Sequence, residues 1–288
     1  PPGCGKSMLA KRLPTILPPL DLAEALEVTQ VYSVLGLLPE DVPLLARRPV
    51  RSPHHTVSYA GLVGGGHGVP RPGEVSLAHH GALFLDELPE FDRAVLETLR
   101  QPLEERRITL ARAAATVGYP ADFTLIAAMN PCPCGFWQQP RHACRCTPRE
   151  LHRYQKKISG PLLDRVDLFV ALEALDKGEL LDKPIGEPSA AVRQRVAAAR
   201  DRQRLRASGK TPYANARLDS RAVERHCALG EAERAFCERA VDHFGLSARA
   251  FFRVLKVART VADLAGEEGL TTAHLAEAFQ YRPGPQFA

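Results

Sequence analysis

Pro1-Pro2-Gly3-Cys4-Gly5-Lys6-Ser7 is the stretch whose reading decides the fold. It reads as the phosphate-binding loop G-x-x-x-x-G-K-[ST] without its first glycine, and the helical run Met8-Leu9-Ala10 follows, continuing to Leu13 and stopping at Pro14. Such a loop joins a buried strand to a helix, so the sequence is expected to be a fragment that opens inside the loop, with that strand upstream of Pro1. Glycine at positions 3 and 5 lets successive backbone N–H groups turn inward as a nest for phosphate oxygens. The helix starting near Lys6 aims its positive end at the same charge. Lys6 is expected to reach the β- and γ-phosphates of ATP and Ser7 to ligate Mg²⁺, with Gly3, Cys4, Gly5 and Met8 completing the nucleotide contact. A glycine-rich turn before an ordinary helix is the competing reading.

Downstream segments bear on that choice. Ala82-Leu83-Phe84-Leu85 is a continuous apolar run, the pattern of a strand buried on both faces of a parallel sheet. It ends in Asp86-Glu87, at the carboxyl end where α/β sheets bind ligands. Asp86 is expected to hold Mg²⁺ and Glu87 to polarise the attacking water. An acidic helix cap before the helical stretch 92–99 is the alternative. A third buried strand is expected over residues 123–128, ending at Asn130, which would sense the γ-phosphate or cap a turn before Pro131. Arg165 lies on a short amphipathic stretch before another expected strand, residues 168–172. It reads either as an arginine reaching a neighbouring subunit's site or as an ordinary salt bridge to Asp164 or Asp167.

Composition sets outer bounds. The 288 residues carry 45% hydrophobic and 25% charged residues, ordinary for a globular chain that buries a core and holds two domains. No apolar run approaches the ~20 residues that span a bilayer, so no membrane partner is expected. No signal peptide is visible, although an opening inside the loop would hide one. A net charge of +5 permits a nucleic-acid partner without requiring one. Seven cysteines beside a phosphate loop point to a reducing cytoplasm, where clustered thiols are metal ligands more often than disulfides.

Taken in order, the phosphate loop, Arg51-Ser52-Pro53-His54-His55-Thr56, Leu62-Val63-Gly64-Gly65-Gly66, the segment from Pro72-Gly73-Glu74 to His79, Phe84-Leu85-Asp86-Glu87-Leu88-Pro89-Glu90-Phe91, Asn130-Pro131-Cys132-Pro133-Cys134-Gly135 and Gly160-Pro161-Leu162-Leu163-Asp164-Arg165 resemble the magnesium-chelatase-like AAA+ ATPases of the YifB/ComM type. The resemblance runs along essentially the whole chain. It implies an AAA+ α/β core, a parallel sheet with helices on both sides, over residues 1–182, and an all-helical lid over 189–282. It implies homo-oligomeric hexameric rings that hydrolyse ATP between subunits, and a DNA-stimulated helicase or translocase that drives branch migration during DNA uptake and recombination. It places Arg165 at the trans-acting finger and Arg249 at the second sensor, with Arg253 as the fallback. It also implies an amino-terminal domain of Lon-protease-like fold ahead of this sequence.

Three segments stand apart. Residues 39–80 are too long for a plain connector; the resemblance implies that they include an insert facing the ring's pore, for which Gly64-Gly65-Gly66 would suit a mobile tip. Within them and beside them, His54, His55, His79 and His80 read as loop-packing residues or as metal ligands. Residues 106–120 read as a hairpin whose Arg106, Arg107 and Arg112 either grip DNA or line a solvated edge. Residues 131–149 carry Cys132-x-Cys134 and Cys144-x-Cys146, nine residues apart, a set suited to tetrahedral Zn²⁺, with His142 as an alternative ligand. Unpaired cysteines and a disulfide are the other readings. Trp137, Arg141, Arg145 and Arg149 beside them could meet DNA.

The helical half begins after the turn at 183–188. A helix over 192–208 with a row of arginines reads as a solvated face or as a DNA or subunit contact. Helices over 221–229 and 231–244 follow, the latter ended by Gly245. Ser247 is expected to cap 248–265, Thr272 to cap the last helix, and the tail from Pro283 to be disordered. Two rival functions remain from the sequence: an ATP-driven subunit that helps insert Mg²⁺ into a porphyrin, and a non-hydrolysing zinc-dependent DNA-binding module.

Overall fold

Strand β4 (Ala82–Leu85) organises the amino-terminal part of the computed structural model, which describes residues 1–66, 68–112, 115–139, 142–173, 186–208 and 214–283. It runs parallel to β1 (Val50–Arg51) on one side and to β7 (Thr124–Ala127) on the other, with Leu83 opposite Leu125 and Leu85 opposite Ala127. All four β4 residues are buried. Period-two alternation sends Leu83 and Leu85 into one core with Leu62, Val75, Leu96, Leu99 and Ile108. Phe84 points to the other face, where it meets Ala10 and Ala128. Each such fully buried leucine contributes about 1.5–3 kcal/mol relative to exposure. Gly81 opens the strand because a Cβ there would lie 1.9 Å from the Pro49 carbonyl oxygen.

Helix α1 (Lys6–Arg12) lies on the Phe84 face, where Ala10 is its buried residue. It gives way to a 3-10 turn, Leu13–Ile16, at Pro14. Helix α2 (Leu22–Val34) starts at Asp21, whose carboxylate accepts from Glu24 N while the Glu24 carboxylate accepts from Asp21 N. Short helices α3 (Tyr59–Val63), α4 (Glu74–Leu77), α5 (Arg93–Glu97), α6 (Arg100–Glu105), α7 (Pro148–Gln155) and α8 (Gly160–Leu163) also belong to this unit.

Two antiparallel ribbons accompany the sheet. β5 (Arg107–Ala111) pairs with β6 (Thr116–Pro120), burying Ile108 and Leu110 while their neighbours stay exposed. β2 (Gly64–Gly65) pairs with β3 (Arg71–Pro72). That second pairing corrects the expectation of a mobile glycine tip at 64–65. Both glycines are buried, and a Cβ on Gly64 would sit 2.5 Å from the Arg71 carbonyl oxygen. Glycine stands there for close backbone approach at φ 114.

Two strand expectations also change. β7 is half-exposed rather than buried, with Thr124 and Ala127 open, because within the described sheet it is an edge with a single paired neighbour. Residues 168–172 form no strand: Phe169 N donates to the Tyr281 carbonyl at 2.8 Å and not to a neighbouring strand.

By contact the chain divides into two compact units, Pro1–Arg165 with Leu172–Ile185, and Val166–Ala171 with Gly186–Ala288. The second is all-helical: α9 (Ser189–Arg206), α10 (Ser220–His226), α11 (Glu231–Phe244), α12 (Ala248–Ala265) and α13 (Thr272–Gln280). Gly245 ends α11 at φ 58 and Ser247 caps α12, both local signals legible in the sequence. Leu255, Ala258 and Ala262 of α12 are buried, and Phe251 packs against them half-buried. The cap of α13 is Thr271, not Thr272. Thr271 has extended backbone and accepts from His274 N, whereas Thr272 is already helical. The arginine row of α9 is not wholly solvated: Arg202 and Arg206 turn onto Asp263. The expected boundary at 183–185, the tail at 284–288, Arg141 and the hairpin tip at 113–114 lie outside the described residues.

Candidate functional site

The opening loop turns at Gly3 (φ 77) and Gly5 (φ 80), left-handed positions where a side chain would be strained. Helix α1 therefore begins with Lys6 at its first turn. Lys6 Nζ donates to Asn130 Oδ1 at 2.9 Å, to the Pro1 carbonyl at 2.5 Å, and approaches Cys4 Sγ at 3.7 Å. Ser7 Oγ donates to Asp86 Oδ2 at 2.5 Å. Asp86 directly follows β4 and Asn130 lies beyond β7, its parallel neighbour, so both reach the same end of the sheet. The small residue Ala10 lets α1 settle close over Phe84, which brings Ser7 to Asp86.

This geometry brings Lys6, Ser7, Asp86 and Asn130 together from three segments of chain. The Ser7 hydroxyl and the Asp86 carboxylate are hard oxygen ligands in contact, the donor set that suits Mg²⁺. Glu87 stands beside them with φ 51, uncommon for a residue with a side chain, and 63% of that side chain is exposed. His55 Nδ1 lies 3.9 Å from its Oε2. Met8, the last nucleotide-contact candidate, is exposed on α1.

The arginines are placed differently. Arg165 Nη2 lies 2.7 Å from Glu104 Oε2, and Nη1 donates to the Pro161 carbonyl at 2.6 Å. Its side chain is 8% exposed, and its Nε is buried with no hydrogen-bond partner. The competing reading of a bridge to Asp164 or Asp167 is therefore corrected: Asp167 pairs with Arg253 at 3.3 Å. Arg165 and Glu104 line a cleft of about 410 Å³ together with Tyr59, Glu97 and Arg100. Arg249 occupies the first turn of α12, in the helical unit. Glu104 carries no motif, so it could not be singled out in advance.

Cys132, Cys134, Cys144 and Cys146 form a second centre. Their sulfur atoms lie within 4.8 Å of one another, with separations of 3.4, 3.6 and 3.8 Å among the first three. A tetrahedron of Zn–S bonds of about 2.3 Å has edges of about 3.8 Å, whereas a disulfide needs about 2.05 Å. All four are free thiols, so the set fits a metal and not a bridge. Backbone N–H groups of Arg145 and Phe136 favour the Cys134 thiolate and lower its pKa to about 6. Cys144 and Cys146 also receive a backbone hydrogen bond each, yet burial and the neighbouring thiols push both up, Cys146 to about 12. The Cys134 thiolate forms readily, and Cys144 and Cys146 resist until a dication offsets the repulsion. His142 is exposed and packs on Phe136 with ring centroids 4.9 Å apart.

A histidine pair forms a third cluster. His79 and His80 stack at 3.8 Å, and each ring places Nε2 2.8 Å from Glu27 Oε2. His79 Nδ1 accepts from Asp122 N at 3.1 Å, which puts the ring proton on Nε2, where it donates to Glu27. That nitrogen has no lone pair left for a metal. The pair ties α2 to the start of β4, a packing role.

The parallel sheet with flanking helices, the phosphate loop and the all-helical second unit define a P-loop core of the AAA+ class. Residues 1–180 match the family model for magnesium chelatase, subunit ChlI, and residues 186–282 match that for the C-terminal part of the same subunit. The chain belongs to this magnesium-chelatase family and is of the ComM/YifB type. It is 47% identical to Competence protein ComM of Haemophilus influenzae over 98% of this chain and 54% of the relative. The same figures hold for the uncharacterized protein YifB of Escherichia coli. An uncharacterized Mycobacterium tuberculosis protein is 45% identical over 98% of this chain and 56% of its own length. The chain thus spans about half the length of the curated relatives it matches. No helix among the described residues is long and apolar enough to cross a membrane.

Proposed function

We propose that the chain is the ATP-hydrolysing part of a cytoplasmic AAA+ motor that works as a homo-oligomeric ring, a hexamer, on branched or single-stranded DNA. The observation that carries this reading is the meeting of Lys6 and Ser7 with Asp86 and Asn130. Each of these groups now holds a partner that a nucleotide can replace. Lys6 exchanges the Pro1 carbonyl and Asn130 for β- and γ-phosphate oxygens. The nest at Gly3, Cys4 and Gly5 and the amino-terminal end of α1 add backbone N–H groups. Ser7 and Asp86 would hold Mg²⁺, which supplies charge neutralisation between the phosphates. Glu87, exposed at the strand end, accepts the proton of the attacking water, and Asn130 reports the γ-phosphate. Arg165 leaves Glu104 to serve a neighbouring subunit's site, and Arg249 is assigned the second-sensor role.

The DNA reading rests on the likeness to ComM, a competence protein by name, and on the basic hairpin β5–β6. Zn²⁺ is the proposed occupant of the four-thiol centre. The test is ATP turnover by the complete protein with and without a four-way DNA junction. Stimulation is expected, and Glu87→Gln should lower turnover by about 10²–10⁴-fold while nucleotide still binds. Turnover unchanged in Glu87→Gln would overturn the hydrolytic role of Glu87, and a complete protein with no turnover at all would leave a non-hydrolysing DNA-binding module. The family description favours a second reading, a motor subunit for Mg²⁺ insertion into porphyrin. Stimulation by a porphyrin-binding partner in place of DNA would select it.

A further inference from the structure

The segment that bears the four thiols is strung between two fixed ends. At its start, Asn130 Oδ1 accepts from Lys6 Nζ, and the Asn130 carbonyl accepts from the Tyr154 hydroxyl at 3.2 Å. Tyr154 is buried on α7. At its finish, Thr147 caps that same helix, accepting from Glu150 N at 3.3 Å. The described residues between these ends form no helix or strand, and none of them belongs to a hydrophobic cluster.

The middle of the segment rests on the phosphate loop. Gly135 is buried at φ 82, and a Cβ there would lie 2.6 Å from Pro2 Cδ. Cys132 is wholly buried, and its sulfur accepts from Trp137 N at 3.3 Å. A stretch without a core of its own, pressed against the loop that carries Lys6, needs a cross-link to stay in place. Four converging thiols are the cross-link that this sequence offers.

We infer that a thiolate-bound soft divalent ion at Cys132, Cys134, Cys144 and Cys146 controls nucleotide affinity by clamping this segment against the phosphate loop. The inference rests on the nucleotide-site reading above and adds its regulation. The ion never touches nucleotide. It keeps Gly135 against Pro2 and Asn130 in reach of Lys6, so the nest is pre-shaped. Loss of the ion releases the wall and leaves the nest to be ordered by the nucleotide itself. Because coupling between two sites is reciprocal, nucleotide must tighten the ion by the factor by which the ion tightens nucleotide.

The experiment uses the complete protein as purified. Its metal content is measured by mass spectrometry, and its affinity for a fluorescent ATP analogue by titration with Mg²⁺ in excess. A zinc-selective chelator then strips the metal, and Zn²⁺ is added back. About one zinc per chain is expected, with weakening on stripping within the ~5–150-fold range of coupled sites and recovery on addition. Gly135→Ala separates the steps: it keeps all four thiols and the zinc but pushes on Pro2, so nucleotide affinity alone should fall. Hydrogen exchange over α12 should stay unchanged throughout, which distinguishes the effect from global unfolding. Protein purified without metal that also gains no affinity from added Zn²⁺ overturns the inference. So does stripped protein whose nucleotide affinity stays within about twofold of the loaded form, a factor too small for coupled sites. Loaded protein that binds no nucleotide defeats the nucleotide-site reading itself, and the inference with it.

Discussion

Asp86 in the first unit and Asp263 in the helical unit are both hydrogen-bonded aspartates, and their partners set them apart. Asp263 is fully buried, and its carboxylate accepts from Asn215 Nδ2 at 2.7 Å, from Arg259 at 3.1 Å and from both terminal nitrogens of Arg206. Arg259 in turn caps the Glu267 and Glu268 carbonyls. Two guanidinium groups saturate that carboxylate and leave no room for a ligand. Asp86 is half-buried, and its partners are a hydroxyl and a backbone N–H. No cation spends its charge on it in those contacts, so the carboxylate stays available to one that arrives. A permanently compensated charge builds a fold, whereas a provisionally compensated one builds a site.

Substitutions can break or sharpen this contrast. The largest effect is expected at Asp263. Asp263→Ala strands two arginines in the interior and should cost about 3–5 kcal/mol in urea unfolding, with the loss confined to the helical unit by hydrogen exchange. Asp86→Ala removes a provisional partner and should cost only about 1 kcal/mol, while Mg²⁺-dependent nucleotide binding disappears. Equal stability losses at the two positions would erase the distinction. In stability, Gly64→Ala falls between the two. A methyl group there meets backbone at 2.5 Å with φ 114, so thermal unfolding should show a loss of about 1–3 kcal/mol.

The smallest effect concerns Glu27. Burial alone would raise its pKa, but hydrogen bonds from His79 and His80 outweigh burial and lower it. A lowered carboxylate stabilises the fold above its ordinary value near 4.5, and that contribution fades as pH falls through the lower folded value. Glu27→Gln should therefore reduce stability near neutrality by less than about 1 kcal/mol, the side chain being half-exposed, and should flatten the decline below the ordinary carboxylate range. Urea midpoints measured across acid pH check this. A decline as steep as in the parent would assign the acid sensitivity elsewhere.

Local signals were the legible part. The phosphate loop, the apolar strand before Asp86, the cap Ser247, the stop Gly245 and the close cysteine pairs each depend on a few consecutive residues. Each states its own geometry through backbone freedom, side-chain period or ligand chemistry. The misreadings came where a longer-range partner decided. Gly64 and Gly65 resemble a flexible tip until Arg71 and Pro72 pair with them. Residues 168–172 have strand-like composition, but the backbone of Phe169 finds Tyr281. Asp164 and Asp167 are the local partners that the sequence offers Arg165, but Glu104 holds it from another helix.

The sequence by itself determined the kind of chain this is: a phosphate loop, an acidic strand end, a four-thiol segment and a helical second half. Only the tertiary structure decided which of these meet. It set Ser7 on Asp86, Lys6 on Asn130, Gly135 on Pro2 and Arg206 on Asp263. The reason is physical. Motifs encode short-range backbone and side-chain preferences, whereas contacts between distant segments depend on how strands pair and how small residues such as Ala10 let helices approach, and no short window of sequence holds that information.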